Sequence, residues 1–244
     1  TKSEVLRLKN ALLLTAAETA PNPRIAYGGA YSPTLDRGGK DVHEGYGMMV
    51  PLAALDAIAP AIDQNFSIVK PIASAENTTE SRAYSYLFPA SYAVKYHVKP
   101  TNYYKISLEM DSGLDADIYV YSTSSSVYGE PLIIHKSTTN QFGGTEFIKG
   151  VKITSEQDVY IVVKAARGIG GFNLTVEHEI DLVPPKIAHI YYPNSKIFYS
   201  SPILPSVYAE DDETAILTVK IFAMKSDEGP FTTCSNPLIW NLSY

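Results

Sequence analysis

The sequence predicts a mainly β protein with a short α-helical N-terminal part, then an antiparallel jelly roll or sandwich, then a second β module. Three observations support this order. Helical apolar spacing is confined to about the first sixty residues. From about Ser81 onward, apolar and polar residues alternate with the period of half-buried strands. Val183-Pro184-Pro185 then interrupts the alternation, since successive prolines resist both helix and sheet pairing.

Two helices are predicted in the N-terminal unit, which we delimit as residues 1–62. Ser3 is placed to cap the first helix, on which Val5 and Leu8 belong to an apolar stripe. Pro51 begins the second helix, because proline is tolerated at the first helical turn. So much apolar surface exceeds what two helices bury against each other, so we expect the first helix to be covered on most sides.

Residues 75–180 predict the jelly roll or sandwich. Tyr104–Met110 alternates apolar and polar side chains along one strand. A turn at Gly168-Ile169-Gly170-Gly171 is predicted between the last two strands. Seven or eight short strands over roughly a hundred residues are typical of this class. The other predicted strands are Val94–Val98, Ile118–Tyr121, Leu132–His135, Phe147–Ile153, Val159–Ala165 and Gly171–His178.

The C-terminal unit, residues 183–244, has strand patterns at Ile187–Tyr191, Ser206–Glu210 and Leu217–Ala223. Its length is short of the roughly 100 residues of an immunoglobulin-like sandwich. The unit is therefore compact, incomplete or completed by another part of a chain.

Composition excludes several classes of function. The net charge of −6 and scattered basic residues argue against nucleic-acid binding. Cys234 is the only cysteine, so no intramolecular disulfide forms. No apolar run approaches the roughly 20 residues that span a bilayer, so we expect no transmembrane helix. We interpret the short apolar run after Lys9 as a buried helix rather than a signal peptide, because Glu4 interrupts the basic residues before it.

Four motifs in the first sixty residues resemble the C-terminal end of the subtilisin-like serine protease domain. They are Leu6–Ala17, Gly38–Asp41, Glu44–Val50 and Ala53–Ala57. In that family they correspond to a V-x-x-A-L-x-x-T-A helix, a glycine-rich loop, a G-Y-G segment and a final A-A-L-x-A helix. The family's nucleophile motif, G-T-S-M, and its histidine motif do not occur in this sequence. The resemblance implies that the two helices are the short tail of an α/β protease domain. It also implies that the chain is the non-catalytic C-terminal portion of such an endopeptidase, with no catalytic residue here.

The β-rich part is similar to modules that follow such proteases. Tyr103–Leu108, Asp115–Tyr121, Val159–Val163 and Phe172–Val176 resemble the signature of pre-peptidase C-terminal jelly rolls. The region from Val183 onward resembles an immunoglobulin-like surface module. The resemblance implies an extracellular or cell-surface location and a catalytic protease portion as partner. A cell-surface protein or glycan is a further expected partner.

Asp111, Asp115 and Asp117 are the candidate metal ligands. Calcium takes 6–8 oxygen ligands from carboxylates and loop carbonyls, and the resemblance to protease jelly rolls that hold calcium favours it here as the cofactor. The alternative is that Asp111 and Asp115 are turn residues and Asp117 a solvated strand residue. Asp111-Ser112-Gly113 also imitates an aspartic-protease motif, but such an enzyme needs a second carboxylate, so we interpret it as a turn.

Four N-glycosylation sequons begin at Asn65, Asn77, Asn173 and Asn241. Asn173 is the informative one, because alternation places it on the face opposite its buried neighbours. We expect at least one sequon to carry a glycan in a source that glycosylates.

Two non-protease readings stay open. In one, the chain is an adhesion module whose tyrosines, such as Tyr119, Tyr121 and Tyr128, stack on sugars. In the other, it is an S-layer-like structural protein. An independently active hydrolase requires a set of catalytic residues that the sequence does not offer.

Overall fold

The mainly β architecture predicted from the sequence is confirmed. The computed structural model describes residues 1–17, 38–40, 45–74, 89–139, 141–182, 186–191, 206–210, 219–223 and 238–242. The helices of this part of the chain are α1 (Lys2–Leu14) and α2 (Pro51–Ile58). Its strands are β1 (Phe66–Ala73), β2 (Ser91–Val98), β3 (Asn102–Met110), β4 (Leu114–Ser122), β5 (Ile133–Ser137), β6 (Thr145–Lys149), β7 (Gln157–Ile180), β8 (Lys186–Tyr191), β9 (Ser206–Glu210), β10 (Val219–Ala223) and β11 (Leu238–Leu242).

Strands β1 to β7 form an antiparallel sandwich of two layers. The first layer has the order β5-β4-β7-β2, and the second has the order β6-β3-β7-β1. Strand β7 belongs to both layers. Its residues 157–168 pair with β2 and β4, whereas residues 169–180 pair with β1 and β3.

The core lies between the layers and is filled by every second residue of each strand. In β4 the inward side chains include Ala116, Ile118 and Val120, and they oppose those of the second layer. In the second half of β7 the inward residues are Phe172 and Leu174, with Val176 beyond them. The other buried members are Ile72, Val94, Tyr96, Val98, Tyr104, Ile106, Leu108, Leu114, Ile148, Val151, Ile153, Val159, Ile161, Val163 and Ala165.

A positive-φ glycine takes β7 from one layer to the other. The predicted turn at residues 168–171 is wrong, because the chain there bends without reversing and stays hydrogen-bonded as one strand. Gly168 has φ of 77°, and a Cβ built on it would lie 2.0 Å from the carbonyl oxygen of Gly113. Glycine satisfies both conditions, since it tolerates positive φ and has no side chain.

The two helices pack on the outer face of the first layer. Ala11 and Leu14 of α1 and Ala57 of α2 contact a cluster of strand residues. These strand residues are Ala93, Tyr119, Tyr121, Tyr160 and Val162. The N-cap of α1 is Thr1 rather than the predicted Ser3, because the Thr1 hydroxyl accepts from the backbone N–H of Glu4 in a capping box.

The sandwich starts before the predicted boundary at residue 75. Strand β1 pairs with β7 along its whole length, from Phe66 opposite Val176 to Ala73 opposite Ile169. Pro71 obscures the strand pattern in the sequence, yet an edge strand tolerates it because its open side needs no N–H donor. Phe66 and Ile68 pack against the core, which leaves Val69 outward.

The described parts of the C-terminal unit are two antiparallel pairs, β8 with β9 and β10 with β11. Strands β8, β9 and β10 match predicted strands, and β11 was not predicted from the sequence. The proposed linker at residues 183–185 lies outside the described residues. The immunoglobulin-like assignment stays a prediction.

His97 is held between two carboxylates at the end of the pair formed by β2 and β7. Its Nδ1 lies 2.8 Å from Asp158 Oδ1 and its Nε2 lies 2.8 Å from Glu156 Oε1. Hydrogen bonds to Asp158 and Glu156 raise the pKa of His97 above its ordinary value of 6.5. The protonated ring can donate to both carboxylates, so it ties the two strands together.

Gly168→Ala tests the bend in β7. We expect it to lower the free energy of unfolding by more than about 1 kcal/mol, because alanine disfavours positive φ and its Cβ would meet the Gly113 carbonyl. Gly45→Ala is the matched control, since Gly45 has φ of 70° but no atom within 4 Å of the built Cβ. If urea unfolding shows equal losses of unfolding free energy for both variants, close contact with the Gly113 carbonyl is not what requires glycine at position 168.

His97→Asn tests, through the pH dependence of stability, whether the bonds of His97 to Asp158 and Glu156 stabilise the fold. A raised folded-state pKa means that the His97 contribution is complete below the unfolded value of 6.5 and is lost as the pH rises through the folded-state pKa. Burial lowers the pKa of His135, and Lys152 adds to the effect. The contribution of His135 to stability is therefore lost as the pH falls, and it is the same in the parent and the variant. We therefore expect the difference in unfolding free energy between the parent and His97→Asn to shrink with rising pH. If the difference stays constant as the pH rises above 6.5, protonated His97 does not stabilise the fold through these two carboxylates.

Candidate functional site

Asp111 lies in the turn between β3 and β4, as its Asp-Ser-Gly sequence predicts. The carbonyl of Asp111 accepts from Leu114 N at 2.9 Å, which closes the turn. Its carboxylate accepts from the backbone N–H of Gly171 at 2.5 Å. A Cβ on Gly171 would lie 2.9 Å from Asp111 Oδ2. Asp111 therefore fastens this turn to the bend in β7.

Asp115 forms an ion pair that the sequence did not indicate. Its Oδ2 accepts from Arg167 Nε at 3.0 Å and from Arg167 Nη2 at 2.8 Å. Its Oδ1 accepts from Gln141 N at 3.3 Å. Arg167 also lies over the Phe142 ring, 4.6 Å from its centroid. Asp115 is 1% exposed, so these bonds compensate a carboxylate removed from water.

Asp117 is buried, so the interpretation of it as a solvated strand residue is wrong. Its Oδ2 accepts from the Tyr119 hydroxyl at 3.2 Å, and its cross-strand neighbour on β7 is Lys164. Within the described ranges, no group of three or more His, Cys, Asp or Glu side chains is arranged to hold a metal ion. The structure places the three aspartates in separate bonds, and calcium binding stays a prediction.

Two of the sequons lie on the second layer of the sandwich. Asn65 is exposed and its Oδ1 accepts from His178 N at 2.8 Å. Asn173 faces outward, where its Oδ1 accepts from the Ser67 hydroxyl at 2.6 Å and its Nδ2 donates to Glu109 at 3.4 Å. Asn241 lies in β11, whereas Asn77 falls outside the described residues. Glycosylation itself stays a prediction.

The tyrosines proposed for sugar stacking are placed differently from one another. Tyr119 and Tyr121 are buried under the helices, and the Tyr121 hydroxyl donates to the carbonyl of Gly38 at 2.7 Å. These two side chains are therefore closed to a sugar. Tyr128 is exposed in the connection between β4 and β5.

Helix α1 has apolar residues both inside and outside its contact with the sandwich. Ala11 and Leu14 face the sandwich and are buried. Val5 and Leu8 lie outside that contact, where they are 66% and 51% exposed. The expectation that this helix is covered on most sides is therefore wrong for the described chain. A helix with so wide an apolar surface is normally buried on most sides.

Helix α2 also has apolar side chains that the rest of the molecule leaves exposed, and they are its largest ones. It buries alanines, Ala53, Ala54 and Ala57, against the rest of the molecule. Its larger aliphatic side chains point outward, with Leu55 61% exposed and Leu52 and Ile58 each 46% exposed. An ordinary surface helix buries its large side chains, because their burial contributes most to stability. The outward face of α2 is therefore suited to a contact outside the described fold.

We define the outward apolar side chains of the helices, Val5, Leu8, Leu52, Leu55 and Ile58, as the helical face. These side chains are exposed on two helices that contact each other, and exposed apolar surface of this kind commonly marks an interaction site. Periodicity in the sequence identified the apolar residues of α1 and α2. It did not indicate which side the sandwich would cover, because that depends on the tyrosines of β4 and β7.

The segment before α2 joins the two helices. Ala17 and Met48 pair through backbone hydrogen bonds of 2.9 and 2.7 Å. Gly45 and Gly47 on either side of Tyr46 both have positive φ, which allows the chain to turn back toward α1. No helix in the described ranges is long and apolar enough to cross a lipid bilayer.

Comparison with known proteins gave a distant structural likeness. No family model matches the sequence, and no curated protein matches it. The chain is similar to the pre-peptidase C-terminal domain of a collagenase from Bacillus anthracis, known from a 1.0 Å crystal structure. The two share 14% identity with a TM-score of 0.34, over 49% of this chain and 98% of that chain. A likeness at this level assigns no function.

Leu55→Ser tests whether the helical face is dispensable for folding. We expect the free energy of unfolding to change by no more than about 0.5 kcal/mol, because the side chain is already largely in water. Leu14→Ala is the contrasting variant at a fully buried position and should cost about 2–5 kcal/mol. Comparable losses for both substitutions in urea unfolding would mean that Leu55 is buried in solution.

Proposed function

We propose that this chain is a non-catalytic accessory region of a secreted or cell-surface subtilisin-like serine protease. It stabilises the catalytic portion and holds it at the cell surface. The observation that carries this proposal is the helical face, in which large aliphatic side chains point away from the sandwich. Such a face is complementary to an apolar surface on a catalytic portion, because burying it there removes that area from water.

The motifs that resemble the protease lie together in the structure. Helix α1 contains most of the first motif, and Ala17, the last residue of that motif, pairs with Met48 of the G-Y-G motif. Helix α2 contains the final motif and packs against α1. Gly38 of the glycine-rich motif accepts from Tyr121 at the same outer face. Their meeting at one place supports a single structural unit that joins the catalytic portion to the sandwich.

The accessory role follows from the chemistry that the sequence lacks. Subtilisin-like hydrolysis needs a serine, a histidine and an aspartate in hydrogen-bond contact, together with an oxyanion hole. The G-T-S-M motif that supplies the serine does not occur in this sequence. The aspartate in the imitated protease motif, Asp111, is occupied by the backbone of Gly171. The chain therefore acts through contact rather than through catalysis.

Calcium and glycans belong to the same proposal. Calcium would add rigidity to an extracellular module, and its candidate ligands, Asp111, Asp115 and Asp117, would exchange their present bonds to Gly171, Arg167 and Tyr119 for the ion. Glycans on Asn65 and Asn173 would project from the second layer of the sandwich, which is the layer that the helices do not cover. Glycans at these two positions would leave the helical face open.

Size-exclusion chromatography of the protein from its native source, combined with a fluorophosphonate probe for reactive serines, tests the proposal. We expect it to co-elute with a fluorophosphonate-labelled polypeptide whose sequence is that of a subtilisin-like catalytic portion. Leu52→Asp/Leu55→Asp should lower the labelled fraction at least tenfold, whereas Val69→Asp on the opposite layer should leave it unchanged. A folded protein that elutes alone and unlabelled would refute the accessory role and favour adhesion or surface structure.

A further inference from the structure

The connection between β4 and β5 is an ordered turn. The Ser126 hydroxyl accepts from Tyr128 N at 3.3 Å and from Glu130 N at 3.1 Å. Ser126 also exchanges backbone bonds with its neighbours, donating to Glu130 O at 3.0 Å and accepting from Gly129 N at 2.9 Å. At its base, Thr123 donates to the carbonyl of Asp158 at 3.0 Å. The conformation of this turn is therefore largely fixed in the free protein.

The same turn is attached to α1. Lys9 Nζ donates to the carbonyl of Tyr128 at 2.5 Å. Gly129 has φ of 79°, and a Cβ built on it would lie 3.1 Å from both Leu6 Cδ2 and Lys9 Cδ. The backbone of the turn thus lies directly against the helix, and a larger residue at Gly129 would separate them.

Two large side chains project from this fixed turn. Val127 is 80% exposed and Tyr128 is 72% exposed. Ordering side chains on binding costs free energy, and a preformed turn lowers that cost. Tyrosine and valine on such a turn therefore make an efficient apolar contact, with the tyrosine ring contributing the larger area.

The turn adjoins helix α1, which carries part of the helical face. Leu6 and Lys9 of α1 lie against Gly129 of the turn. Val5 and Leu8 of the helical face directly precede these two residues in the chain and are exposed. The turn thus borders the helix that supplies Val5 and Leu8.

We propose that Val127 and Tyr128 extend the helical face onto the sandwich, so that one catalytic portion docks on the helices and the turn together. This inference rests on the proposed function. The partner would then contact both the helices and the turn of the sandwich. Contact with both would fix the orientation of the sandwich relative to the protease. The turn is the part of the interface that the sandwich itself supplies.

Charge on α1 defines the partner further. Its charged residues are Lys2, Glu4, Arg7 and Lys9, which is three basic against one acidic, for a net charge of +2. Asp56 on α2 belongs to the other flank, where Lys70 acts on it. Two of the basic groups are bound within the chain, Arg7 to the Tyr160 hydroxyl and Lys9 to the Tyr128 carbonyl, so their charge lies along the edge of α1 that meets the sandwich and the turn. The partner surface beside that edge is therefore acidic. A two-fold contact centred on α1 would instead bring the basic side chains of two copies together, which disfavours a second copy as the occupant.

Site-specific photo-cross-linking distinguishes this inference from the proposed function. p-Benzoylphenylalanine is introduced separately at positions 128, 55 and 69 of the full chain in its native source, and cross-linked peptides are identified by mass spectrometry. We expect positions 128 and 55 to join the fluorophosphonate-labelled polypeptide and position 69, on the opposite layer, to give no such product. A cross-link from 55 without one from 128 overturns the inference but leaves the proposed function intact.

Three other outcomes decide the remaining cases. Absence of cross-links from both 55 and 128 overturns the proposed function together with the inference. A cross-link from 128 to a second copy of this chain, or to a glycan, overturns the inference. As a second measurement, Val127→Ser/Tyr128→Ser should weaken co-elution of the labelled polypeptide about tenfold while urea unfolding stays unchanged. Undiminished co-elution would show that the turn makes no contact.

Discussion

The sandwich depends on a single strand that belongs to both of its layers. Strand β7 pairs with β2 and β4 before Gly168 and with β1 and β3 after it, so four of the six other sandwich strands are placed by direct hydrogen bonding to β7. The bend also brings Arg167 to Asp115 and the Gly171 backbone to Asp111. Both aspartates therefore stabilise the crossing between the layers, which explains why their carboxylates are occupied.

Local patterning in the sequence predicted most strands of the sandwich and both helices, because alternation and helical spacing are properties of neighbouring residues. It failed where distant residues decide the outcome. The glycines at 168–171 are typical of a turn, yet pairing on both sides keeps the strand continuous. Alternation around Tyr119 did not indicate that helices would cover its outer face. The ion pair of Asp115 with Arg167 joins residues 52 positions apart, and only the strand register brings them together.

The candidate site was predictable in composition but not in orientation. The apolar residues of α1 and α2 are evident in the sequence, as is the resemblance from which a partner is proposed. Which side of α2 lies outward follows from packing its small alanines inward, with Ala57 in the cluster that contains the large tyrosines of β4 and β7. Because the alanines of α2 lie inward, Leu52 and Leu55 are left exposed for contact with another surface. The turn at Val127 belongs to the proposed interface only because Lys9, 119 residues from Tyr128, holds it against α1.

The chain enters and leaves the sandwich at adjacent positions. Strand β1 begins at Phe66, whose cross-strand partner is Val176, near the end of β7 at Ile180. Segments whose ends lie side by side can be inserted into or removed from a protein without separating the flanking parts. The sandwich could therefore be gained or lost with little change in the path of the flanking backbone. Mechanically, tension applied across its two ends would open the β1–β7 ladder one hydrogen bond at a time, so under load this edge would yield first.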